Sequence, residues 1–532
     1  MTKLVKNAKI YDGTGADAFI GDILMDGDKI VRVAPSISGD ADEVFDVGGR
    51  SVSSGFIDGH SHNDWFAIKN DPVPYFEPFV RQGITTFICG NCGLSSVGFE
   101  DECKYIDKMG GGLFFFKDTT GEYGTVGDYF AAIDHNCPAN IAELVGHCSA
   151  RAAITGFENR KLTVEEENEM LAILEKALQH GAAGVSLGLM YEPGLYADTD
   201  ELKKIVNLCV KYNKPLTVHA RACSAVSMAY HQLLGRSHLL RAVDELVEIS
   251  KGTNLKLQYS HAIFVGKRSF KDKDEFVRIM DQLRESGVDA RFDIYDECLG
   301  VSVITVVLPT WYQGMRIEER KKPLNKLKLS LLIKATSLLL GFGFDDIQIA
   351  YIGKGYEKYE GKTVHQIAQE EGKSDLDTYL MLCELSDFKG RVNMGPYSTP
   401  QIISEFSHND NCTYMTDAWV EENGIQNPAI YDCYPKFLHD SLTGTGDTMP
   451  KTIRKMTGAI ADRFMLEKRG YVKEGFYADL TVFDENVIRN AIPDQSRPFG
   501  IDKVFINGSK VLDGDAIDRQ TLKTAGRALP VK

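Results

Sequence analysis

The chain has 532 residues, of which 43% are hydrophobic and 25% charged, so its composition excludes disordered, collagen-like and coiled-coil proteins. Sixty Lys and Arg against 75 Asp and Glu give a formal net charge of −15, which repels nucleic acid and anionic membranes at long range, so neither is an expected partner. Eleven scattered cysteines do not resemble a disulfide framework, and no apolar run is long enough for a signal peptide or a membrane span. We therefore expect a cytoplasmic protein.

Short strands separated by Asp-Gly turns are predicted at both ends of the chain. The N-terminal strands lie in KLVKNAKIYDG, FIGDILMDGDKIVRVAP and DEVFDVGGRSV, and the same pattern returns in GYVKEGFYADLTVFD and DKVFINGSKVLDGD. Two strand-rich ends around a long middle predict one small composite domain, a β-sandwich of residues 1–54 plus 468–532. Two separate terminal sheets would leave the same pattern.

Between these ends, β-rich runs alternate with amphipathic helical stretches such as LTVEEENEMLAILEKALQHG. Eight such runs are present: SSGFIDGH, ITTFICG, NIAELVGH, AAGVSLGL, PLTVHA, NLKLQYSH, VDARFDIY and CTYMTDAW. Eight strands each followed by a helix predict an α/β fold in which residues 55–467 form a (β/α)8 TIM-like barrel. An insertion of about a hundred residues, 296–411, precedes the eighth strand and is predicted to be a lid or specificity segment.

Metal-binding residue types follow the predicted strands where each strand ends. They are His60, His62, Cys92, His147, His219, His261 and Asp417. Barrel enzymes place their active site at this C-terminal rim, and imidazole, thiolate and carboxylate together favour zinc or a similar transition metal. A single such histidine is more often a hydrogen-bonded structural group, but the shared position of all these residues favours a metal site.

The C-x-x-C of Cys89 and Cys92 has two other interpretations, a redox pair and half of a structural zinc site. A redox pair predicts a thioredoxin-like setting, and a four-cysteine site predicts a second C-x-x-C; the sequence has neither. Strand alternation followed by a Gly-Asn turn instead predicts Cys89 in the barrel wall and Cys92 at the rim.

These motifs resemble the amidohydrolase superfamily and, more narrowly, the D-aminoacylase or N-acyl-D-amino-acid deacylase family. GFIDGHSHND is similar to the superfamily's first-strand signature, and GNCGLS to the deacylases' cysteine-containing turn. GVSLGLMYEPGLYADTDEL, VHARA and YSHA resemble the segments that follow. The resemblance spans nearly the whole chain, and the fourth-strand segment separates this branch from hydantoinases.

The resemblance implies that Cys92, His219 and His261 hold a tightly bound Zn²⁺, and that His60, His62 and Asp417 form a second, weaker metal position. Cys92 would replace the bridging carboxylated lysine of related barrels, since the fourth strand ends in Leu-Gly-Leu without a lysine. Asp417 is then the candidate general base and acid of amide hydrolysis. His147 and Tyr191 are candidates for polarising the substrate carbonyl, each with a structural role as the alternative.

The substrate-binding motifs depart from the family. The family's Tyr-Pro-Tyr reads Tyr295-Asp296-Glu297 here, and its His-Pro-Arg reads Asn427-Pro428-Ala429. An arginine replaced by alanine removes a bidentate contact to a substrate carboxylate. We therefore expect a small-molecule amide other than a standard N-acyl-D-amino acid, with Tyr295 and Glu297 near the barrel mouth contacting a cationic or neutral group.

Three other functions stay open at this point. A cyclic-amide hydrolase of hydantoinase or dihydroorotase type would use the same metal chemistry. A deaminase is disfavoured, because Ala-Arg-Ala follows His219 where such sites keep a glutamate. A non-catalytic scaffold has no need of Asp417. The sequence leaves the oligomeric state undetermined, and a homo-oligomer is compatible with it.

Overall fold

The computed structural model of the protein describes residues 1–100, 104–106, 108–109, 118–227, 229–230, 235–492 and 498–532. The strands in chain order are β1 (Thr2–Tyr11), β2 (Phe19–Asp26), β3 (Lys29–Ala34), β4 (Glu43–Asp46), β5 (Ser51–Ser54), β6 (Phe56–Asp58), β7 (Ile84–Cys89), β8 (Asn140–Gly146), β9 (Gly184–Gly188), β10 (Pro215–His219), β11 (Lys256–Tyr259), β12 (Asp289–Ile294), β13 (Gly300–Val303), β14 (Ile347–Tyr351), β15 (Arg391–Met394), β16 (Cys412–Tyr414), β17 (Leu480–Phe483), β18 (Ile501–Ile506), β19 (Ser509–Asp513) and β20 (Ala516–Ile517).

The helices follow the same order. They are α1 (Asp64–Ala67), α2 (Val73–Val80), α3 (Val126–Ile133), α4 (His147–Thr155), α5 (Val164–Gln179), α6 (Thr199–Lys211), α7 (His238–Ser250), α8 (Lys273–Glu285), α9 (Thr310–Gln313), α10 (Ile317–Arg320), α11 (Pro323–Leu340), α12 (Val364–Glu371), α13 (Asp375–Leu385), α14 (Pro400–Ser407), α15 (Ala429–Thr443), α16 (Met449–Met456), α17 (Gly458–Arg463), α18 (Glu485–Asn490) and α19 (Arg519–Leu522). Across the described ranges, none of these helices has the length and apolarity that a bilayer crossing requires.

Both ends of the chain contribute to one sheet. Its strand order is β20-β19-β18-β17-β5-β1-β2-β3, with β4 beside β1. The junction between the two ends is the antiparallel pair β5 and β17, in which Val52 lies opposite Val482. Both valines are fully buried in the core of this sheet. The domain boundaries at residues 54 and 468 stay a prediction.

The predicted α/β barrel is confirmed. All eight predicted runs contain a strand, and these strands form a parallel sheet in the order β16-β12-β11-β10-β9-β8-β7-β6. Side-chain hydrogen bonds join the last strand to the first. The backbone amide and the hydroxyl of Thr416 donate to Asp58 at 3.0 and 2.6 Å, and the Tyr434 hydroxyl lies 2.6 Å from the Ile57 carbonyl oxygen and 3.1 Å from that of Tyr414.

The surrounding helices form for the reasons that the sequence indicates. Helix α5 begins at Thr163, whose side chain accepts from the Glu166 amide while the Glu166 side chain accepts from the Thr163 amide. Its residues Met170, Leu174 and Ala177, spaced three and four apart, are buried against the barrel.

The insertion after β12 has its own small core. Strands β13, β15 and β14 form an antiparallel sheet in that order. Helices α11, α12 and α13 contribute buried side chains to the same cluster, among them Leu329, Ile367 and Leu382. The insertion is therefore a packed unit rather than an extended loop.

Candidate functional site: a His, Cys and Asp cluster at the barrel rim

Six of the predicted rim residues converge in space. His60 and His62 follow β6, Cys92 follows β7, His219 ends β10, His261 lies just after β11, and Asp417 lies just after β16. Five of the six fall into two groups that share His60, namely His60 with Cys92 and His261, and His60 with His62 and Asp417. His219 joins the cluster through Nδ1, which lies 2.7 Å from His261 Nε2. A third group, formed by Asp64, Cys89 and Glu143, is buried and lies outside the six rim residues. The folded chain therefore assembles the metal-binding residue types at one end of the barrel.

Cys92 lies at the centre of this cluster. Its Sγ is 3.4 Å from His60 Nε2 and 3.6 Å from both His219 Nδ1 and His261 Nε2. Bonds of about 2.3 Å to sulfur and about 2.0 Å to nitrogen place neighbouring ligands of tetrahedral zinc roughly 3.5 Å apart. These sulfur–nitrogen distances therefore fit zinc. The two imidazole nitrogens of His219 and His261 are closer, at 2.7 Å.

Asp417 faces the pair of histidines that follows the first strand. Its Oδ1 is 3.4 Å from His60 Nε2 and 3.7 Å from His62 Nε2. The Asp417 amide donates to the His60 carbonyl oxygen at 3.2 Å, so the two loops are joined through their backbones as well. This second group is continuous with the Cys92 group through His60.

The backbone adopts an unusual conformation at three of the six residues. Cys92, His261 and Asp417 have φ angles of 56°, 34° and 47°, in the left-handed region that side-chain-bearing residues seldom occupy. Each costs on the order of 1–3 kcal/mol and tends to occur at functional sites. All three strained residues therefore lie at strand ends where their side chains enter the cluster.

Gly188, in the fourth-strand segment, holds the Cys92 turn in place. A Cβ at Gly188 would lie 1.9 Å from the Cys92 carbonyl oxygen, so only glycine permits this approach. Next to Cys92, the Gly93 amide donates to the Ser186 hydroxyl at 3.0 Å. Strand β9 therefore contributes no side chain to the cluster but supports the turn that carries Cys92.

Burial controls the protonation of the cluster. It lowers the pKa of His62 to about 3 and that of His261 to about 4, with the charge of His261 adding to the shift at His62. Both imidazoles are therefore neutral at pH 7, the form that binds metal. Burial also raises the pKa values of Cys92 and Asp417 well above their ordinary ranges. A bound cation would stabilise the thiolate and carboxylate that the protein alone disfavours, so this donor set fits a metal.

Two buried carboxyl groups beneath the cluster were not singled out from the sequence. Asp293 accepts from the His261 amide at 2.5 Å, and its Oδ1 lies 3.8 Å from His60 Nδ1. Asp58 accepts from the His60 amide at 3.2 Å besides binding Thr416. Burial raises the pKa of each to about 7. The sequence signal that could have identified them is an aspartate in the last residues of a predicted barrel strand, Asp58 in FID and Asp293 in FDI.

Tyr191 lies beside the cluster and His147 lies in a separate network. The Tyr191 hydroxyl is 3.3 Å from His219 Nδ1, and the two rings are 4.5 Å apart. His147 begins α4, and its Nε2 is 2.7 Å from Glu201, which also accepts from Arg151 at 2.7 Å. A substrate-binding role for His147 stays a prediction, and its contacts are those of a structural group.

Tyr295 and Glu297 occupy the start of the insertion, close to the barrel rim. Both are buried, and burial and then Asp417 raise the pKa of Tyr295. Glu297 accepts from Lys436 Nζ at 2.7 Å, and the same ammonium group also donates to the Asp296 carbonyl oxygen. Glu297 is thus paired with a cation of the protein, and the expected contact of Tyr295 and Glu297 with a cationic or neutral substrate group stays a prediction.

Of the protein-family models compared with the chain, none matches it. Among curated proteins, a D-aminoacylase from Alcaligenes xylosoxydans xylosoxydans is 26% identical over 534 residues, covering 99% of this chain and 97% of the relative. The resemblance inferred from the motifs is confirmed by this similarity over nearly the whole chain.

Solved structures agree with the sequence comparison. A crystal structure of a D-aminoacylase, described as defining a novel subset of amidohydrolases, superposes with a TM-score of 0.77 at 25% identity and covers 99% of both chains. An N-acyl-D-glutamate deacylase from Bordetella bronchiseptica, complexed with zinc and a phosphonate inhibitor, has a TM-score of 0.79 at 22% identity over 99% of both chains. At 22% identity, the similarity to the N-acyl-D-glutamate deacylase shows a shared fold.

Proposed function

We propose that the chain is a zinc-dependent amidohydrolase that cleaves a non-peptide C–N bond. Cys92, His219 and His261 would hold the tighter zinc, while His60, His62 and Asp417 would form a weaker second position. The observation that carries this proposal is the convergence of six side chains of metal-binding type from five strand ends. Whole-chain similarity to D-aminoacylase supports the reaction class.

Asp417 is proposed to be the proton carrier of the reaction. Zinc, when bound, would supply an activated water and a Lewis acid for the substrate carbonyl. Burial raises the pKa of Asp417 and a bound cation would lower it again, so its carboxylate could take up and release a proton during the reaction. Asp417 would take the proton of the attacking water and deliver it to the leaving nitrogen, while the Tyr191 hydroxyl beside His219 would donate to the developing oxyanion.

The substrate is proposed to be an acylated amine without a carboxylate on the amine side. Ala429 stands where the family's arginine would bind that carboxylate. Two cations on neighbouring elements already have carboxylate partners, since Lys436 binds Glu297 at 2.7 Å and Arg221 binds Glu245 at 2.9 Å. Binding a substrate carboxylate would require one of these buried pairs to separate, which is costly.

A substrate panel tests this proposal. Zinc-loaded protein would be assayed with N-acetyl-D-methionine and N-acetyl-D-leucine, with the matching N-acetyl amines that lack the carboxylate, and with hydantoin and dihydrouracil. We expect kcat/KM to be highest for the acyl amines. Efficient turnover of the D-amino acid derivatives would contradict the altered substrate, and selective turnover of the cyclic amides would favour a hydantoinase-type activity.

A further inference from the structure

Helix α11 of the insertion has two apolar faces, and the protein covers one of them. On the inner face, Leu329 is fully buried and Ile333 packs against the insertion core. On the outer face, four leucines are 57–75% exposed, namely Leu324, Leu327, Leu331 and Leu338. Their spacing of three, four and seven residues places them in one stripe along the helix. Four exposed leucines in one stripe differ from the singly scattered surface hydrophobics that need no explanation.

The charge around this stripe is opposite to that of the whole protein. Residues 320–344 contain six cationic side chains and no acid, in a chain of net charge −15. The six are Arg320, Lys321, Lys322, Lys326, Lys328 and Lys334. By helical geometry Lys328 and Lys334 flank the leucines on opposite sides, and Lys328 Nζ lies 4.4 Å from the centre of the Trp311 ring. Lys322 and Lys326 form ion pairs with Glu319 and Asp377, so Lys328 and Lys334 supply the cationic edges of this apolar surface.

A second copy of the chain is a poor occupant for this surface. The stripe is roughly 21 Å long by about 10 Å wide, on the order of 200 Å², whereas a stable interface buries about 800 Å² per partner. A two-fold pairing would also bring the two cationic helices together, with like charges opposed.

An anionic lipid surface fits both properties. Leucines of an amphipathic helix enter the boundary between headgroups and acyl chains, while flanking lysines meet anionic headgroups. The net negative charge of the protein acts at long range but is screened beyond about 8 Å at physiological salt, so local charge decides close contact.

We propose that α11 docks the protein onto an anionic lipid surface, with the leucine stripe in the apolar boundary and Lys328 and Lys334 at the headgroups. The helix ends beside the segment that follows His261: a Cβ at Gly266 would lie 2.5 Å from the Leu340 carbonyl oxygen. Docking would therefore hold the rim side of the barrel close to the membrane. This inference is independent of the reaction proposed above.

The test is cosedimentation of the full-length protein with vesicles of phosphatidylcholine alone and of phosphatidylcholine with 30% phosphatidylglycerol. We expect binding to the anionic vesicles only. The double variant Leu327→Gln/Leu331→Gln should bind at least tenfold more weakly, and Lys328→Gln/Lys334→Gln about fivefold more weakly per lysine removed. Ile20→Gln, at an equally exposed site on β2, is the matched control and should bind like the wild type.

Several results would overturn the proposal. Equal sedimentation with neutral and anionic vesicles, or unchanged binding of the leucine variant, would exclude this docking surface. A dimer by light scattering that Leu327→Gln/Leu331→Gln converts to monomer would show that a second copy covers the stripe. Circular dichroism and melting temperature would establish that the variants are folded, and turnover of a soluble amide should stay unchanged in them.

Discussion

Gly188→Ala is predicted to disable the metal site without adding a polar or charged group. The new methyl carbon would lie 1.9 Å from the Cys92 carbonyl oxygen. Carbon–oxygen contacts settle at about 3.3 Å or more, so the Cys92 turn or strand β9 must move by roughly 1.4 Å. A displacement of about 1 Å in a catalytic arrangement costs on the order of a hundredfold in rate. We expect kcat/KM to fall at least that far and the zinc content to fall with it.

The assay combines kcat/KM on the preferred amide with zinc content by elemental analysis and a thermal melt. Gly343→Ala is the matched control, because a Cβ there has nothing within 4 Å and the residue has no left-handed φ. It should keep wild-type activity and metal. If Gly188→Ala also keeps both, the argument that β9 fixes the Cys92 turn is refuted.

Three further predictions follow. Asp417→Asn should lower kcat by about 10²–10⁴-fold, whereas Asp387→Asn, at a side chain 90% exposed, should not; equal activity of the two variants would exclude the proposed base. Glu297→Gln should remove the nearer carboxylate partner of Lys436, leaving its contacts to Asp296, and lower the KM for N-acetyl-D-amino acids; an unchanged KM would show that Lys436 does not reach the substrate. Burial, and then Lys256, lowers the pKa of Lys214 to about 8, so the unfolded chain binds more protons between pH 8 and 10.5 and stability rises with pH there. The stabilisation of Lys214→Met relative to wild type should therefore shrink between pH 7 and pH 10, as measured by chemical denaturation.

The barrel was predictable because its signals are local. Each of the eight runs is a short stretch of strand-forming residues, and each run contains a strand in the structure. The positions of His60, Cys92 and Asp417 followed from a topological rule, since parallel strands of a barrel end at the same rim. The left-handed φ angles of Cys92, His261 and Asp417 were not predictable, because none of these residues is a glycine or an asparagine that would mark the position.

Contacts between residues far apart in the chain could not be predicted from the sequence. Lys436 lies 139 residues from Glu297, and no local sequence pattern indicates that the two side chains form an ion pair. Thr416 closes the barrel through Asp58, 358 residues away, for the same reason. Which apolar face of the cationic helix α11 the insertion covers depends on the packing of α12 and α13. The net charge of −15 for the whole chain also gives no indication that residues 320–344 carry a positive charge.

The measurement that tests the central claim most directly is X-ray absorption at the zinc edge on the purified, zinc-loaded protein. Ligation by Cys92 with histidines predicts one sulfur at about 2.3 Å and two or more nitrogen ligands at about 2.0 Å. The sulfur contribution should vanish in Cys92→Ser and persist in Cys89→Ser. A shell without sulfur, or with several sulfurs, would contradict the proposed site, as would a sulfur signal that survives in Cys92→Ser.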